Sequence, residues 1–407
     1  SIFSLSEIIT NNRPTKRLIL NGFILVKKRN MPELLDLLKP KQRLFVAGSS
    51  NEPTALLNHL AQLELPGQLE FIQFPLAGHN SIDFTQFNGT AVLTTFFMTP
   101  SLAGADPSRL QFLPMQMRAV YDYLSSNLDV ALLQIARDRH GILRLGPNVD
   151  FAQAVLSSAS VILAELNHGI SAPAGCPRID LDQIDFLFES ERPLRQLVTP
   201  AIDASAQQIG SYVAELIKDG DCIQTGIGAI PTAILKQLEG KSDLGFHGGL
   251  IDDAGMALIR HGNVTGNRKP LDKGLHITGM ALGSNDLLDW LADNPSVVFR
   301  GANYTHEVTA IRQLPNFVSV NSAVEIDLYG QVNAEYARGR QISGTGGSVD
   351  FMRAAKASSG GRSIVAMSAT ARRGSVSRIV SKAEMVTALR TDVDIVVTEY
   401  GTADIKY

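Results

Sequence analysis

The sequence is poor in cysteine, with only Cys176 and Cys222 among 407 residues. Two distant cysteines provide neither a disulfide framework nor metal-ligand spacing, so we interpret both as reduced structural thiols. No apolar run approaches the ~20 residues that a membrane-spanning helix needs, and the N-terminus lacks a signal-peptide pattern. The formal net charge of −3 excludes the strong basic bias typical of proteins that bind nucleic acids or bilayers. We therefore expect a cytoplasmic protein with no nucleic-acid or membrane partner.

The sequence does contain enough apolar material, 44% of its residues, for sizeable cores. Its length predicts two or three domains. Short apolar runs end in glycine-rich turns and are followed by segments of helical periodicity. Such runs lie at 43–48, 221–226, 363–367 and 393–401. Short, fully apolar strands that alternate with helices are typical of parallel sheets, so we predict an α/β fold with mostly parallel or mixed sheets flanked by helices.

An internal similarity predicts two related halves. Residues 48–60 read GSSNEPTALLNHL and residues 226–238 read GIGAIPTAILKQL, each after an apolar run. In both, a glycine precedes a proline-started helix, and proline is well suited to the first helical turn. The charged, proline-containing stretch 189–205 lies between the two units and resembles a domain junction. We predict two similar open α/β domains, residues 1–195 and 196–407.

Two glycine-rich turns are candidate ligand sites. The first spans Gly226, Ile227, Gly228 and Ala229, and it opens a helix whose free N–H groups suit a phosphate, a carboxylate or an oxyanion. A tight structural turn and a dinucleotide-binding loop remain alternatives, although Pro231 stands where that loop has its third glycine. The second turn lets a ligand approach the main chain, or is simply flexible. It contains Gly344, Gly346 and Gly347.

Polar residues interrupt two otherwise apolar segments. The segment 317–335 alternates like a strand pair around Tyr329 and Gly330, and Glu399 ends the strand at 396–399. Ligands gather at the carboxyl ends of strands in open α/β sheets. A satisfied hydrogen-bond network, or a solvent-facing carboxylate at Glu399, is the alternative. The interrupting residues of 317–335 are Asn321, Glu325, Asp327 and Asn333.

The order of these motifs resembles the acetyl-CoA hydrolase/transferase family, which contains CoA-transferases acting on acetate, succinate, butyrate, 4-hydroxybutyrate and itaconate. The resemblance rests on GIGAIPTAIL, LGFHGGLIDDAGMALIRHG, VNSAVEIDLYGQVNAE, SGTGGSVDFMRAA and VVTEYGTAD in the C-terminal half. GSSNEP and NHGISAP extend it into the N-terminal half. It implies the family I CoA-transferase fold of two open α/β domains, a further C-terminal helix beyond DIKY, and in many members a homodimer or higher homo-oligomer.

The resemblance also implies a mechanism. Family transferases use a glutamate as nucleophile, with an acyl-CoA and a small carboxylic acid as substrates and no permanently bound cofactor. An acyl-glutamyl anhydride and then a glutamyl-CoA thioester form, so the kinetics are ping-pong. By this resemblance Gly226 and Gly228 would donate to the oxyanion, with Ile227 and Ala229 beside the substrate. Residues expected to shape the CoA and acyl pocket are Asn321, Gly344, Gly346, Gly347, His247, Gly248 and Gly249.

The chain departs from the family at the nucleophile. Many relatives read His-Thr-Glu-Met where this chain reads His247-Gly248-Gly249-Leu250, so the glutamate falls on Gly249. Glu52 is our first candidate for a relocated nucleophile, because glutamate is a poor helix cap and a helix start favours an ionised carboxylate. Glu325 and Glu399 are the alternatives.

Other functions remain open at this stage. Water attacking the thioester directly would make the protein an acyl-CoA hydrolase, with His247 or the pair Asp252 and Asp253 orienting the acid or the water. Binding of CoA esters without turnover is a further alternative, and His247 is otherwise a packed strand residue. A nucleotide-linked oxidoreductase is the rival from another class, supported only by the TGIGAIP turn.

The acid substrate is open as well. A dicarboxylate such as succinate or itaconate is a hypothesis, because three arginines lie close in sequence to the motifs. They are Arg260, Arg338 and Arg340.

Overall fold

The computed structural model describes residues 18–20, 23–25, 31–198 and 200–406. Near the N-terminus, strands β1 (Leu18–Leu20) and β2 (Phe23–Leu25) pair antiparallel, and helix α1 spans Met31–Asp36. None of the helices in these ranges is both long enough and apolar enough to cross a membrane.

The first half of the chain builds one largely parallel sheet. Its strands lie in the order β10–β9–β7–β3–β4–β5–β6, all parallel, and β8 pairs antiparallel with β7. The elements are β3 (Arg43–Val46), α2 (Thr54–Leu60), β4 (Glu70–Gln73), β5 (Val92–Thr95), β6 (Leu110–Phe112), α3 (Met117–Leu124), β7 (Val130–Arg137), β8 (Leu143–Leu145), α4 (Ala152–Ser158), β9 (Val161–Asn167) and β10 (Phe186–Ser190). Short 3₁₀ turns occur at Ser49–Asn51, Phe84–Gln86, Pro100–Leu102 and Leu181–Gln183.

The second half builds another sheet, in the order β12–β11–β17–β22–β26–β27, in which only β27 runs antiparallel to its neighbour. Its elements up to the central strand are α5 (Ala204–Leu216), β11 (Cys222–Thr225), α6 (Ala229–Lys236), β12 (Gly245–Phe246), β13 (Leu250–Ile251), α7 (Asp253–Arg260), β14 (His276–Thr278), β15 (Met280–Ala281), α8 (Asn285–Ala292), β16 (Val297–Phe299), α9 (Ala302–Thr305), α10 (Val308–Ile311) and β17 (Phe317–Asn321). The remaining elements are β18 (Glu325–Asp327), β19 (Val332–Asn333), β20 (Tyr336–Ala337), β21 (Arg340–Gln341), α11 (Ser348–Ala357), β22 (Arg362–Ala366), β23 (Thr370–Ala371), β24 (Val376–Ser377), β25 (Ile379–Val380), β26 (Ile395–Thr398) and β27 (Gly401–Asp404).

The α/β fold class with parallel sheets is confirmed. The central strands are buried and largely apolar, because helices cover both faces; in β7, Val130 to Ala136 are all buried and only Gln134 among them is polar. Helices start at local caps: Asp203 accepts a hydrogen bond from Ala206 N at 2.8 Å at the start of α5, and Asp252 accepts one from Gly255 N at the start of α7.

The first sheet ends with β10 at Ser190, and the second starts with β11 at Cys222. The repeated segments both form a strand, a turn and a helix: β3 leads to α2, and β11 leads to α6. They differ in one detail, because Pro53 directly precedes α2 whereas Pro231 is the third residue of α6.

The two halves share a core. One continuous cluster of buried side chains contains Phe45 and Leu133 of the first sheet together with Ile223 and Val318 of the second. Asn148 and Met280 add an antiparallel bridge between the halves. The contact is therefore apolar and extensive, and it holds the carboxyl ends of β3 and β4 against the segment around β15.

Candidate active site

The double glycine at 248–249 lies in the turn between β12 and β13, in the interior of the second half. Gly248 N donates to Ile277 O at 3.0 Å, and Gly249 O accepts from Gly279 N at 3.2 Å and Met280 N at 3.0 Å. The neighbouring segment 277–280 therefore holds this backbone in place. A β-carbon at position 249 would lie 3.0 Å from His306 Cε1 and 3.1 Å from His306 Nε2, which is a tight contact.

His306 is thus the side chain that faces position 249, on which the family resemblance places the nucleophilic glutamate. It is buried, its ring packs 4.4 Å from that of Phe351, and its Nδ1 is 2.8 Å from Thr305 Oγ1 in a hydrogen bond. Burial lowers the pKa of His306 to about 3, with a smaller contribution from His247, so the imidazole is neutral near pH 7. The sequence analysis missed His306, which lies between the motifs that it used.

The glycine-rich loop 344–347 reaches the same imidazole, because a β-carbon on Gly347 would overlap with His306 Nε2. The loop also packs against the first half. A β-carbon on Gly344 would overlap with Phe96 O, and Met117 N donates to Gly346 O at 3.1 Å. Its small residues therefore permit a close contact between backbones. The predicted role of this loop in CoA binding stays a prediction.

Asn321 lies on the opposite side of the double glycine. Its side-chain amide exchanges hydrogen bonds of 3.3 and 3.4 Å with Gln224, the residue before Thr225 at the end of β11. A β-carbon on Gly248 would lie 3.4 Å from Gln224 Cγ, an ordinary contact. The structure therefore brings together Gly248, Gly249, Asn321 and Gly347, and it adds two residues that the sequence analysis missed, Gln224 and His306.

The turn at 226–229 is open. β-carbons on Gly226 and Gly228 would meet no described atom within 4 Å, Ile227 is exposed, and α6 begins at Ala229. Gly228 precedes the helix with φ +119°, a conformation that side chains other than glycine rarely adopt. This geometry suits backbone N–H donation to a ligand, and the oxyanion role stays a prediction.

Glu52 lies in the turn between β3 and α2, with only 5% of its surface exposed. Its Oε2 accepts from Gln73 Nε2 at 2.8 Å and from Asn80 Nδ2 at 3.0 Å, and its Oε1 accepts from Thr54 Oγ1 at 3.3 Å. Burial raises the pKa of the Glu52 carboxyl, and these hydrogen bonds oppose the rise. Both carboxylate oxygens are therefore engaged by the first half itself.

The other two candidate glutamates are also engaged. Glu325 Oε1 accepts from Asn333 Nδ2 and from Glu384 N, both at 3.0 Å. Glu399 Oε2 accepts from Ala369 N at 2.8 Å at the end of β26. Asp327 forms the turn after β18, where its Oδ1 accepts from Tyr329 N at 2.9 Å. The structure thus shows hydrogen bonds within this segment, the alternative that the sequence analysis left open.

His247 is a packed residue. It is fully buried, its Nε2 is 3.2 Å from Thr305 O, and its ring lies against those of Tyr304 and Phe317. Burial lowers its pKa to about 4. Asp252 caps α7 and Asp253 accepts from Ser284 N at 3.0 Å, so both have local structural roles.

A small cleft, with a cavity volume of about 60 Å³ and open to solvent on one side, lies in the first half where it meets Met280. Its walls are largely apolar, with a few polar groups, as is typical of small-molecule sites. The apolar lining includes Phe45, Phe74, Met117, Leu133, Leu145 and Phe151. The polar lining comprises Ser49, Asn51, Asn148 and Asp150.

Asp150 stands out within this lining. Its side chain is buried, and no described residue hydrogen-bonds to its Oδ1. Burial raises the pKa of Asp150 to about 7. The sequence analysis did not consider this residue, because it lies in LGPNVDF, outside every motif.

Comparisons with known proteins agree with this architecture. The model of the acetyl-CoA hydrolase/transferase C-terminal domain matches residues 283–407. A 4-hydroxybutyrate coenzyme A transferase of Clostridium kluyveri is 38% identical over 69% of this chain and 66% of its own length. A butyryl-CoA:acetate CoA-transferase of Anaerostipes caccae is 34% identical over 74% of this chain and 69% of its own length. An acetyl-CoA hydrolase of Eremothecium gossypii is 25% identical over 94% of this chain and 84% of its own length.

Among solved structures, RipA from Yersinia pestis superimposes with a TM-score of 0.83 at 28% identity, covering 93% of this chain and 92% of that one. The likeness thus extends over both sheets and the contact between them. The matched region spans about two thirds of the length of the Clostridium and Anaerostipes relatives. Sequence and structure agree that the chain belongs to the acetyl-CoA hydrolase/transferase family.

Proposed function

We propose that this protein is a CoA-transferase, which exchanges coenzyme A between an acyl-CoA and a small carboxylic acid. The observation that carries the proposal is the similarity to transferases over most of the chain. The apolar cleft at the contact between the two halves provides a place for the acyl group. The same relatives favour a role in CoA chemistry for the turn at 226–229. They give no support to dinucleotide binding there, the role on which a nucleotide-linked oxidoreductase would depend.

The chemistry we propose is covalent catalysis by an enzyme carboxylate. The carboxylate attacks the thioester, CoA leaves as thiolate, and the resulting anhydride is converted into an enzyme–CoA thioester that the second acid resolves. Backbone N–H groups at Gly226 and Gly228 would stabilise the oxyanion of each step. Glu52 was the sequence-based candidate for the nucleophile, and its engaged oxygens would have to give up hydrogen bonds to act.

We propose a short monocarboxylic acyl group rather than a dicarboxylate. The aromatic and aliphatic walls of the cleft suit an apolar chain. The arginines that motivated the dicarboxylate hypothesis lie on the surface. Arg260 pairs with Asp286 at 3.6 Å, and Arg338 and Arg340 are exposed in the β20–β21 hairpin.

The test is CoA exchange followed by chromatography of the acyl-CoA products. Butyryl-CoA is incubated with acetate, 4-hydroxybutyrate, succinate or itaconate as acceptor. We expect new acyl-CoA with the monocarboxylates and slower exchange with the dicarboxylates. A preference for succinate or itaconate would reverse the substrate proposal, and the absence of both exchange and CoA release with every pair would refute the function.

Hydrolysis is a second candidate, because Gly249 provides no carboxylate at the position of the family's glutamate. Water would then take the place of the acceptor acid. Release of free thiol from acyl-CoA without any added acid, at a rate that acceptors do not raise, would identify the protein as a hydrolase. We further propose a cytoplasmic location. We also propose that the protein forms a homo-oligomer, and size-exclusion chromatography with light scattering would measure its molar mass.

A further inference from the structure

Asp150 lies at the contact between the two halves, against the segment that pairs with the strand after the double glycine. The segment Pro147–Val149 runs alongside β15: Val149 N donates to Gly279 O at 2.9 Å, and Ala281 N donates to Pro147 O at 2.9 Å. Strand β15 in turn pairs with β13, which begins directly after Gly249. The first half thus adds a third segment beside the two short strands, and Asp150 is the next residue of that segment.

The register of these strands places the carboxyl group beside Gly249. Leu250 pairs with Met280 in parallel register, so Gly249 and Gly279 are neighbours that face the same side. Adjacent strands lie about 4.8 Å apart. A β-carbon on Gly279 would overlap with Asp150 Oδ1 and would lie 3.3 Å from Gly249 O. The carboxyl of Asp150 therefore occupies the side-chain position of residue 279, one strand away from the missing side chain of residue 249.

The same face is bounded on its other side by His306, which contacts the β-carbon position of residue 249. The face thus carries a carboxyl at one end, a neutral imidazole at the other, and bare backbone between them. A glycine at position 279 is required for this arrangement, because any side chain there would displace the carboxyl of Asp150. Gly249 and Gly279 of the second half and Asp150 of the first half therefore lie together at the contact between the halves.

The carboxyl of Asp150 has no structural task that explains its burial. Among the described residues, burial alone acts on its ionisation, with neither a hydrogen bond to its oxygens nor a neighbouring charge that opposes it. An unpaired buried carboxyl destabilises a fold, and such groups cluster at functional sites. Asp150 also lines the apolar cleft that we assign to the acyl group, together with Asn148 and Ser49.

We propose that Asp150 supplies the nucleophilic carboxylate that this chain lacks at position 249. The proposal deepens the proposed CoA-transferase function and rests on it. A carboxylate oxygen of Asp150 attacks the thioester carbonyl carbon; a C–O bond forms, the C–S bond breaks, and CoA leaves as thiolate. The thiolate then attacks the Asp150 carbonyl carbon, which forms an aspartyl–CoA thioester and releases the first acid as its carboxylate.

The second acid completes the exchange by the reverse of these steps. Its carboxylate attacks the aspartyl–CoA thioester, CoA leaves as thiolate, and the thiolate then attacks the acyl carbon of the new anhydride. The new acyl-CoA leaves and Asp150 is regenerated as a carboxylate. No proton or electron is gained or lost over the cycle, so no further reactant is needed.

The test traps the enzyme–CoA thioester. The full chain is incubated with butyryl-CoA and treated with borohydride, whose hydride reduces the enzyme's thioester carbonyl to an alcohol and releases CoA. Peptide mass spectrometry locates the reduced side chain. The variants are Asp150→Asn and Glu52→Gln as rival nucleophiles and Asp350→Asn as the matched control, since burial also raises the pKa of Asp350 to about 7. Thermal unfolding verifies that each variant is folded.

We expect a reduced residue at Asp150, its absence in Asp150→Asn, and a fall in exchange of at least about 1,000-fold in that variant, as for loss of a nucleophile. Gly279→Ala should lower exchange as well by displacing the carboxyl.

Three results would overturn the assignment in different ways. Reduction of Glu52 or of another carboxyl, with exchange intact in Asp150→Asn, would keep the transferase and move the nucleophile. Thiol release that persists in Asp150→Asn without any reduced residue would mean attack by water. Wild-type protein that neither exchanges nor hydrolyses acyl-CoA would refute the proposed function itself.

Discussion

Glu52 and Asp150 are two buried carboxyls on the same half of the protein, and their surroundings are opposite. Glu52 accepts hydrogen bonds from two amide side chains and one hydroxyl, and Arg192 donates to its backbone carbonyl at 2.7 Å. Asp150 receives hydrogen bonds on neither oxygen from any described residue and faces an apolar cleft. Both lie near the carboxyl end of the first sheet, where ligands of such sheets gather.

This difference indicates a structural role for Glu52 and a catalytic role for Asp150. The donors around Glu52 oppose the rise that burial causes in its pKa, and a carboxylate that already accepts several hydrogen bonds is a weaker nucleophile. A carboxyl held in an apolar site has a raised pKa, and its anion, once formed, is more basic and more reactive. The polar network around Glu52 fixes the turn that starts α2, whereas the unpaired Asp150 costs stability and needs a functional explanation.

The largest expected effect is on the pH dependence of stability. The folded-state pKa of Asp150, about 7, lies above its ordinary value of 3.8, so the folded state retains a proton that the unfolded state has lost. Stability therefore falls as pH rises from about 4 to about 7, by roughly 4 kcal/mol for a shift of this size. Urea unfolding of wild type and Asp150→Asn at pH 5 and pH 8 measures the free energy of unfolding. We expect the variant to lack the part of this decline that falls above pH 5, roughly 2–3 kcal/mol.

Other acids contribute to the pH profile of both proteins, Asp350 among them. The informative quantity is therefore the difference between variant and wild type at each pH, in which their contributions cancel. A difference that does not change between pH 5 and pH 8 would mean that Asp150 ionises as in the unfolded chain and has a partner in solution.

A smaller effect is expected at Glu52. Whereas replacement of Asp150 removes a destabilising group, replacement of Glu52 should lower the free energy of unfolding. Glu52→Ala removes the acceptor for Gln73 and Asn80, and both amides are buried. Each keeps a backbone acceptor, Ala47 O for Gln73 and Ser49 O for Asn80, so the loss is moderate. We expect the free energy of unfolding to fall by about 2–3 kcal/mol, measured in urea at pH 7.

Glu52→Gln provides the matched control, because its carbonyl oxygen can still accept from one amide. Its loss should be about half that of the alanine variant. Equal losses in the two variants would show that charge, rather than hydrogen bonding, holds this turn together. Hydrogen bonding would then not be what distinguishes Glu52 from Asp150.

Much of the fold could be predicted from the sequence, because short-range patterns of apolar and turn residues determine these elements. Short apolar runs predicted β3, β11, β22 and β26, and the alternation at 317–335 predicted the β18–β19 hairpin. The repeat of strand, turn and helix is present at α2 and α6. These features depend on hydrophobic periodicity and turn residues within about ten positions.

The candidate site was less accessible. His306 and Asp150 come to the double glycine through contacts that cross from one half to the other or span many residues, and no spacing rule relates them. One signal was present in the chain: Gly279, like Gly249, adjoins a two-residue strand, and a glycine beside a short buried strand indicates that something approaches its backbone closely. The partner that approaches could be identified only from the register of β13 and β15.

The smallest expected effect is at the double glycine itself. Gly249→Ala places a methyl group 3.0 Å from His306 Cε1 and 3.1 Å from His306 Nε2. His306 is buried and packs against Phe351, so the ring has little room to retreat. Mild overpacking of this kind costs about 1 kcal/mol. Thermal or urea unfolding of the purified variant measures the loss.

Gly248→Ala is the matched neighbour, because its methyl group would meet Gln224 Cγ at 3.4 Å, an ordinary contact distance. Its loss of stability should be smaller than that of Gly249→Ala. If the two variants lose the same stability, His306 moves freely and does not bound the face that Asp150 occupies. If Gly249→Ala is clearly the less stable, the imidazole of His306 is held in place and bounds the face at residue 249.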